Sequence, residues 1–259
     1  MPVPSRIEAA HQLLLLDPPP WFLRHTRAVA EIAAWLALRI ERRGAQIDRR
    51  LVETAALLHD VDKLVPPSDP VARLGHGEGS AAWLVRHGYD ELAAAAAWHP
   101  VTRLADDPAF ETWWSAGSSE ERVVAYADKR AGQRLETMDA RFASWRRRYP
   151  AIEDDLAGGP PAVGDGRRRG TGHGTAPGGP HTGGGWDTAL AQRVRERAGA
   201  LEAAVCRSAG VSPVEVRRLR WTDDALRAAR LRAATLHPVQ PHRDALRTAA
   251  DARHRETGP

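Results

Sequence analysis

The chain of 259 residues has one cysteine, two methionines, three tyrosines, three phenylalanines and only two lysines. A lone cysteine, Cys206, excludes an internal disulfide, fits a reduced cytoplasmic protein, and with no motif around it reads as a packed helical residue. No apolar run approaches the roughly 20 residues that a membrane-spanning helix needs, and no secretory leader pattern is seen. No internal repeat is found, and strand-like alternation is almost absent, so an all-α protein is expected. The shortage of lysine is the most telling. Of 37 basic residues only Lys63 and Lys129 are lysine, and each lies within three residues of a buried-pattern carboxylate, Asp60 or Asp128.

Apolar residues make up 42% of the chain, enough for a packed core. Residues 1–150 carry 20 basic and 20 acidic side chains, whereas residues 187–259 carry 14 arginines against 9 acidic groups. The basic bias is mild and confined to the C-terminal part, so a nucleic-acid partner has weak support. Twelve of the 22 glycines fall between Gly158 and Gly185. This composition predicts a disordered linker over 151–186, in which His173 and His181 are incidental. A helical segment is expected over 187–235, with Ser212, Pro213 and Glu215 as a start signal. A frayed tail follows over 236–259.

Within the first 150 residues the 3.6-residue period predicts a succession of helices. The second, about Trp21 to Arg43, has a stripe of Val29, Ile32, Leu36 and Ile40 that extrapolates back to His25. A third, capped by Asp48, runs through Leu51, Ala55 and Leu58 to Lys63 before Pro66-Pro67. The fourth spans about Glu78 to His87, and the fifth Asp90 to Trp98. Ser118-Ser119-Glu120-Glu121 is a capping-box start for a long sixth helix with the stripe Val124, Asp128, Ala131, Leu135, Met138, Phe142 and Trp145. Asp128 thus occupies a position reserved for an apolar side chain, where a carboxylate is costly unless paired or metal-bound. The Pro100–Ser118 connection, with Trp113-Trp114, is read as a specificity loop or a hydrophobic plug.

The candidate ligands are His25, His59, Asp60, His76, His99 and Asp128. Imidazole gives one nitrogen to one ion, whereas a carboxylate can bridge two. Four His with two Asp therefore suit two divalent ions, with Asp60 as the bridge. His25, His59 and Asp128 would complete one ion, and His76 and His99 would approach Asp60 from the other side. Mixed nitrogen and oxygen ligation favours Fe or Mn, admits Zn or Co, and disfavours Ca and Mg.

The segments RHTRAVAEIA, AALLHDVDK, LGHGEGSAAWL, AAAAAWHP and VVAYADKRA resemble, in order, the motifs of the HD-domain phosphohydrolase superfamily. The likeness covers roughly residues 20–150 and implies an HD-type helical bundle. His76-Gly77 and Ala127–Arg130 further resemble the bacterial symmetrical diadenosine tetraphosphate hydrolases, although Pro100-Val101 after His99 departs from a Thr-rich turn. The resemblance implies hydrolysis of a nucleotide phosphoester or phosphoanhydride by a metal-activated water, with Asp60 and Lys63 as catalytic residues. Lys63, Lys129 and Arg130 would bind the phosphorylated small molecule, and Glu78 or Asp62 would carry protons. The rival reading is a non-catalytic HD scaffold that binds metal or nucleotide, with the Arg-rich C-terminal segment as a docking element.

Overall fold

The computed structural model describes residues 3–132, 135–150 and 185–216. Among these the chain forms helices α1 (Arg6–Leu15), α2 (Pro20–Arg42), α3 (Arg49–Leu58), α4 (Glu78–Arg86), α5 (Asp90–Trp98), α6 (Asp107–Ala116), α7 (Ser119–Arg130), α8 (Met138–Arg148), α9 (Thr188–Ala209) and the short α10 (Pro213–Val216). No strand occurs among the described residues, only an isolated antiparallel bridge from Ala131 to Leu135. The expectation of an all-α fold holds.

α2 is the spine. Pro20 opens it at the first position, where a missing N–H costs nothing. Its stripe Phe22, Val29, Ile32, Leu36 and Ile40 is fully buried and faces α3, α7 and α9. Asp48 caps α3 by accepting from the Leu51 N–H at 2.9 Å. The small buried residues Ala55 and Ala56 let α3 lie close between α2, α5 and α7. α7 opens with the expected capping box: Ser118 accepts from the Glu121 N–H, and the Glu121 side chain accepts from the Ser118 N–H.

Three expectations change. α3 stops at Leu58, and Val61–Leu64 forms one tight 3-10 turn in place of two more α-helical turns. The long helix from Ser118 through Trp145 is two helices: Ala131 turns extended, the Arg130 carbonyl accepts from the Glu136 N–H at 2.8 Å, and Thr137 caps α8. The Pro100–Ser118 connection contains α6, opened by Asp106 as cap and Pro108 in the first turn.

α9 agrees with the helix expected from Thr188 and packs on α2 and α7, ending at Gly210 in the left-handed conformation. Tyr149, after α8, and Trp186, before α9, stack with ring centroids 4.6 Å apart. The Trp186 N–H donates to the Tyr149 carbonyl at 3.3 Å, and Arg146 donates to the Trp186 carbonyl at 2.7 Å. The expected linker, apart from Gly185 and Trp186, lies outside the described residues, as do the helical expectation over 217–235 and the tail.

Candidate metal centre

The six candidate ligands come from five helices, and most sit at a helix end. His25 is in the second turn of α2, and Asp128 is in the last turn of α7. His59 and His99 are the residues that close α3 and α5. The last carbonyls of a helix have no intrahelical donor, and both imidazoles supply one. His59 Nδ1 donates to the Ala56 carbonyl at 2.8 Å, and His99 Nδ1 donates to the Ala96 carbonyl at 2.6 Å. The same local solution is used twice. Because the helix ends at His59, Asp60 escapes the 100° divergence of helical neighbours and turns to the same point as His59.

Asp60 is buried at the middle of the cluster, and its two oxygens face different partners. Oδ2 lies 3.3 Å from His25 Nε2 and 3.5 Å from His59 Nε2. Oδ1 lies 3.2 Å from His99 Nε2 and 3.3 Å from His76 Nε2. Asp128 Oδ1 completes the first group, 3.4 Å from His25 Nε2 and 3.8 Å from His59 Nε2. His76 and His99 thus meet Asp60 across from His25.

In His59 and His99 the Nδ1 proton is committed to a backbone carbonyl, and His76 Nδ1 donates to Asp62 Oδ2 at 2.8 Å. Neutral rings so fixed present bare Nε2 lone pairs. Yet His25 Nε2 and His59 Nε2 are 3.2 Å apart, and His99 Nε2 and His76 Nε2 are 3.1 Å apart. Nitrogens this close need a proton or a metal cation between them. Atoms bound about 2.1 Å from one ion lie roughly 3.0–3.4 Å apart, which these spacings match. The donor set therefore fits a divalent metal in each half.

Without an ion, a proton on His25 takes its place. Burial opposes charge on His25, but hydrogen bonds with Asp128 and Asp60 outweigh it and push the ring up to about 9. His59 goes down to about 3, chiefly through burial. Burial would raise Asp60, yet Lys63 and His59 hold it well below the ordinary carboxylate range. Burial acts likewise on Asp128, and His25 and its neighbours hold that carboxyl well below the range too.

Residues 22–132 match the HD domain family. The match includes every one of the six candidate ligands. An uncharacterized protein of Methanocaldococcus jannaschii is 32% identical over 112 residues, which cover 41% of this chain and 63% of that relative. The chain thus spans less than two thirds of that relative's length. No solved structure gives a significant match.

Two residues of the matched segment have roles beyond those expected from the sequence. Asp62, read as a proton carrier, orients His76, and its other oxygen accepts from Ser80 Oγ at 2.7 Å while Ser80 Oγ accepts from the Asp62 N–H at 3.1 Å. Burial opposes its charge, but the His76 bond prevails and lowers the carboxyl. Gly77, at φ +87°, starts α4, and a Cβ there would meet Pro100 Cγ at 2.6 Å and the Ala97 carbonyl at 3.0 Å. Only glycine lets the His76 turn sit this close to the end of α5. Gly77→Ala is expected to lower metal affinity at least about tenfold, as loss of an orienting contact does. The melting temperature should fall by only a few degrees, both read on the purified variant.

Lys129 and Arg130, expected to bind substrate, are turned away from the site. Lys129 is fully buried, donating to the His99 carbonyl at 2.7 Å and the Ala125 carbonyl at 3.3 Å, and burial lowers its ammonium to about 8. Arg130 is buried on the opposite side, against α9. The last turn of α7 is wedged between α5 and α9, so its side chains satisfy neighbouring carbonyls and carboxylates. Glu78 pairs with Arg103 at 2.8 Å. Trp113 is buried and stacks on Trp98, so it serves as a plug. Cys206 is packed against the Tyr126 hydroxyl.

Proposed function

We propose that this chain hydrolyses a phosphoester or phosphoanhydride of a nucleotide in the cytoplasm, with a dinucleoside polyphosphate as the favoured substrate class. The observation that carries the reading is Asp60, whose two oxygens each face a pair of imidazole Nε2 atoms. His25, His59, Asp128 and Asp60 Oδ2 would hold one divalent ion; His76, His99 and Asp60 Oδ1 would hold a second. Fe or Mn suits this mixture of donors. Bound ions of this kind supply Lewis-acid polarisation of a phosphoryl oxygen and an acidified water.

The protein's own contribution is access and charge. His25, His59, Asp60 and His99 are buried, whereas His76 and Lys63 have side chains 38% and 30% exposed, so substrate approaches from their side. Lys63 Nζ lies 2.6 Å from Asp60 Oδ2 and keeps further N–H groups for a phosphoryl oxygen. A compact ammonium suits charge developing on that oxygen. The dinucleoside preference rests on the likeness of His76-Gly77 to the symmetrical hydrolases. The Ala127–Arg130 half of that likeness carries less, because Lys129 and Arg130 are committed to internal partners.

Metal analysis of anaerobically purified protein, followed by a nucleotide hydrolysis screen with Mn2+ and Fe2+, tests this reading. Retained metal with no turnover would support the rival non-catalytic scaffold, and no metal at all would sink both. Lys63→Ala is expected to lower kcat/KM by about a hundredfold or more, the usual weight of one charge-stabilising donor. Metal affinity should stay level or rise, because a competitor for Asp60 is gone. Weakened metal binding in that variant would reassign Lys63 to holding the centre together.

A further inference from the structure

Asp128 presents a mechanical problem. It lies in the last turn of α7, two residues from the end, where helices fray. The next residues matter as well, since the Gly132 carbonyl lies 3.4 Å from His25 Nδ1. A ligand and the orienting carbonyl of another ligand thus depend on one helix end.

Arg130 fixes that end, and three of its partners lie beyond the HD match. Its guanidinium is buried and donates to the Tyr126 hydroxyl at 2.6 Å, Glu202 Oε1 at 2.9 Å, the Glu136 carbonyl at 2.8 Å and the Pro213 carbonyl at 3.1 Å. Glu202 also accepts from the Tyr126 hydroxyl at 2.9 Å. One planar cation therefore ties α7, the turn after it, α9 and the start of α10. Among these partners Glu202 is the carboxylate that balances the buried charge, and it stands 70 positions beyond the family match.

We propose that Glu202, acting through Arg130, is a positioning residue for the His25, His59 and Asp128 half of the metal centre. The C-terminal helix is then part of the site's framework. This rests on the metal-centre reading above. Glu202 contacts no candidate ligand, so its effect passes entirely through the end of α7. Removing its charge leaves Arg130 under-paired in a buried place and frees the Asp128 turn to move, while His76 and His99 keep their own anchors, Asp62 and the Ala96 carbonyl.

The test is calorimetric titration of metal-stripped full-length protein with Mn2+. Glu202→Gln is expected to weaken binding in one half of the centre by about tenfold or more, as loss of an orienting partner does. Asp128→Asn should weaken the same event, and Glu202→Asp, which keeps the charge, should recover most of the affinity. Val194→Ala, which trims a buried residue of the same helix away from Arg130, serves as the control for stability alone. Two events in the wild type, one of them weakened in Glu202→Gln and neither in Val194→Ala, would support the assignment. Wild-type affinities retained within twofold in Glu202→Gln, or equal weakening in the control, would overturn it and leave the metal centre standing. A wild type that binds no Mn2+ would overturn both.

Discussion

Asp60→Asn is expected to lower hydrolysis by about a thousandfold or more, and to remove the rise in melting temperature that Mn2+ gives the wild type. A thousandfold loss corresponds to about 4 kcal/mol of barrier, a reasonable weight for the group that serves both ions. The stability half follows from the same geometry. Asn has one carbonyl oxygen in place of a charged pair, and its amide can donate to bare Nε2 atoms that otherwise face an acceptor. Lys63 loses its partner but is exposed enough to hydrate. Mn2+ should raise the melting temperature of the wild type and not that of Asp60→Asn. A variant that keeps activity within tenfold, or whose melting temperature rises with Mn2+ as the wild type's does, would show that Asp60 does not serve the ions.

Truncation after Pro150 is expected to leave a chain without a cooperative melting transition. α9 buries Val194, Leu201 and Val205 against the domain, and burial of each such side chain is worth about 1.5–3 kcal/mol. The cut also strips Glu202 and the Pro213 carbonyl from Arg130, and breaking a buried ion pair costs roughly 3–5 kcal/mol. Together these losses rival the whole stability of an ordinary domain, about 5–15 kcal/mol. Differential scanning calorimetry of the truncated and full-length proteins decides the matter. A cooperative transition within a few degrees of the full chain would make α9 an independent appendage.

The positions of two candidate ligands were legible because each falls on an apolar pattern. His25 prolongs the stripe of α2, and Asp128 sits where α7 calls for an apolar residue; both turn inward as that pattern requires. Their supporters were not legible in the same way. Asp62 and Ser80 act on the far nitrogen of His76 through a turn that no periodicity describes, and Glu202 lies 74 residues from Asp128 in sequence. The break between α7 and α8 was hidden because Ala131, Leu135 and Met138 keep helical phase across it. Thr137, a capping residue three before Ala140, was the available signal. Asp106-Asp107-Pro108 likewise marks the start of α6, although the paired tryptophans drew the reading toward a loop. Lys129 and Arg130 stood out by composition and proximity, but composition cannot say which way the last turn of a helix points.

The stacked Tyr149 and Trp186 have a consequence for how this chain can vary. The segment between them starts and ends at one spot, its two ends held by aromatic contact. The entropy of closing such an excursion grows only with the logarithm of its length, about 0.6 kcal/mol for each doubling. The Tyr149–Trp186 clasp thus suits a wide range of joining lengths, since doubling or halving the number of residues between its two sides changes the closing cost by only that amount.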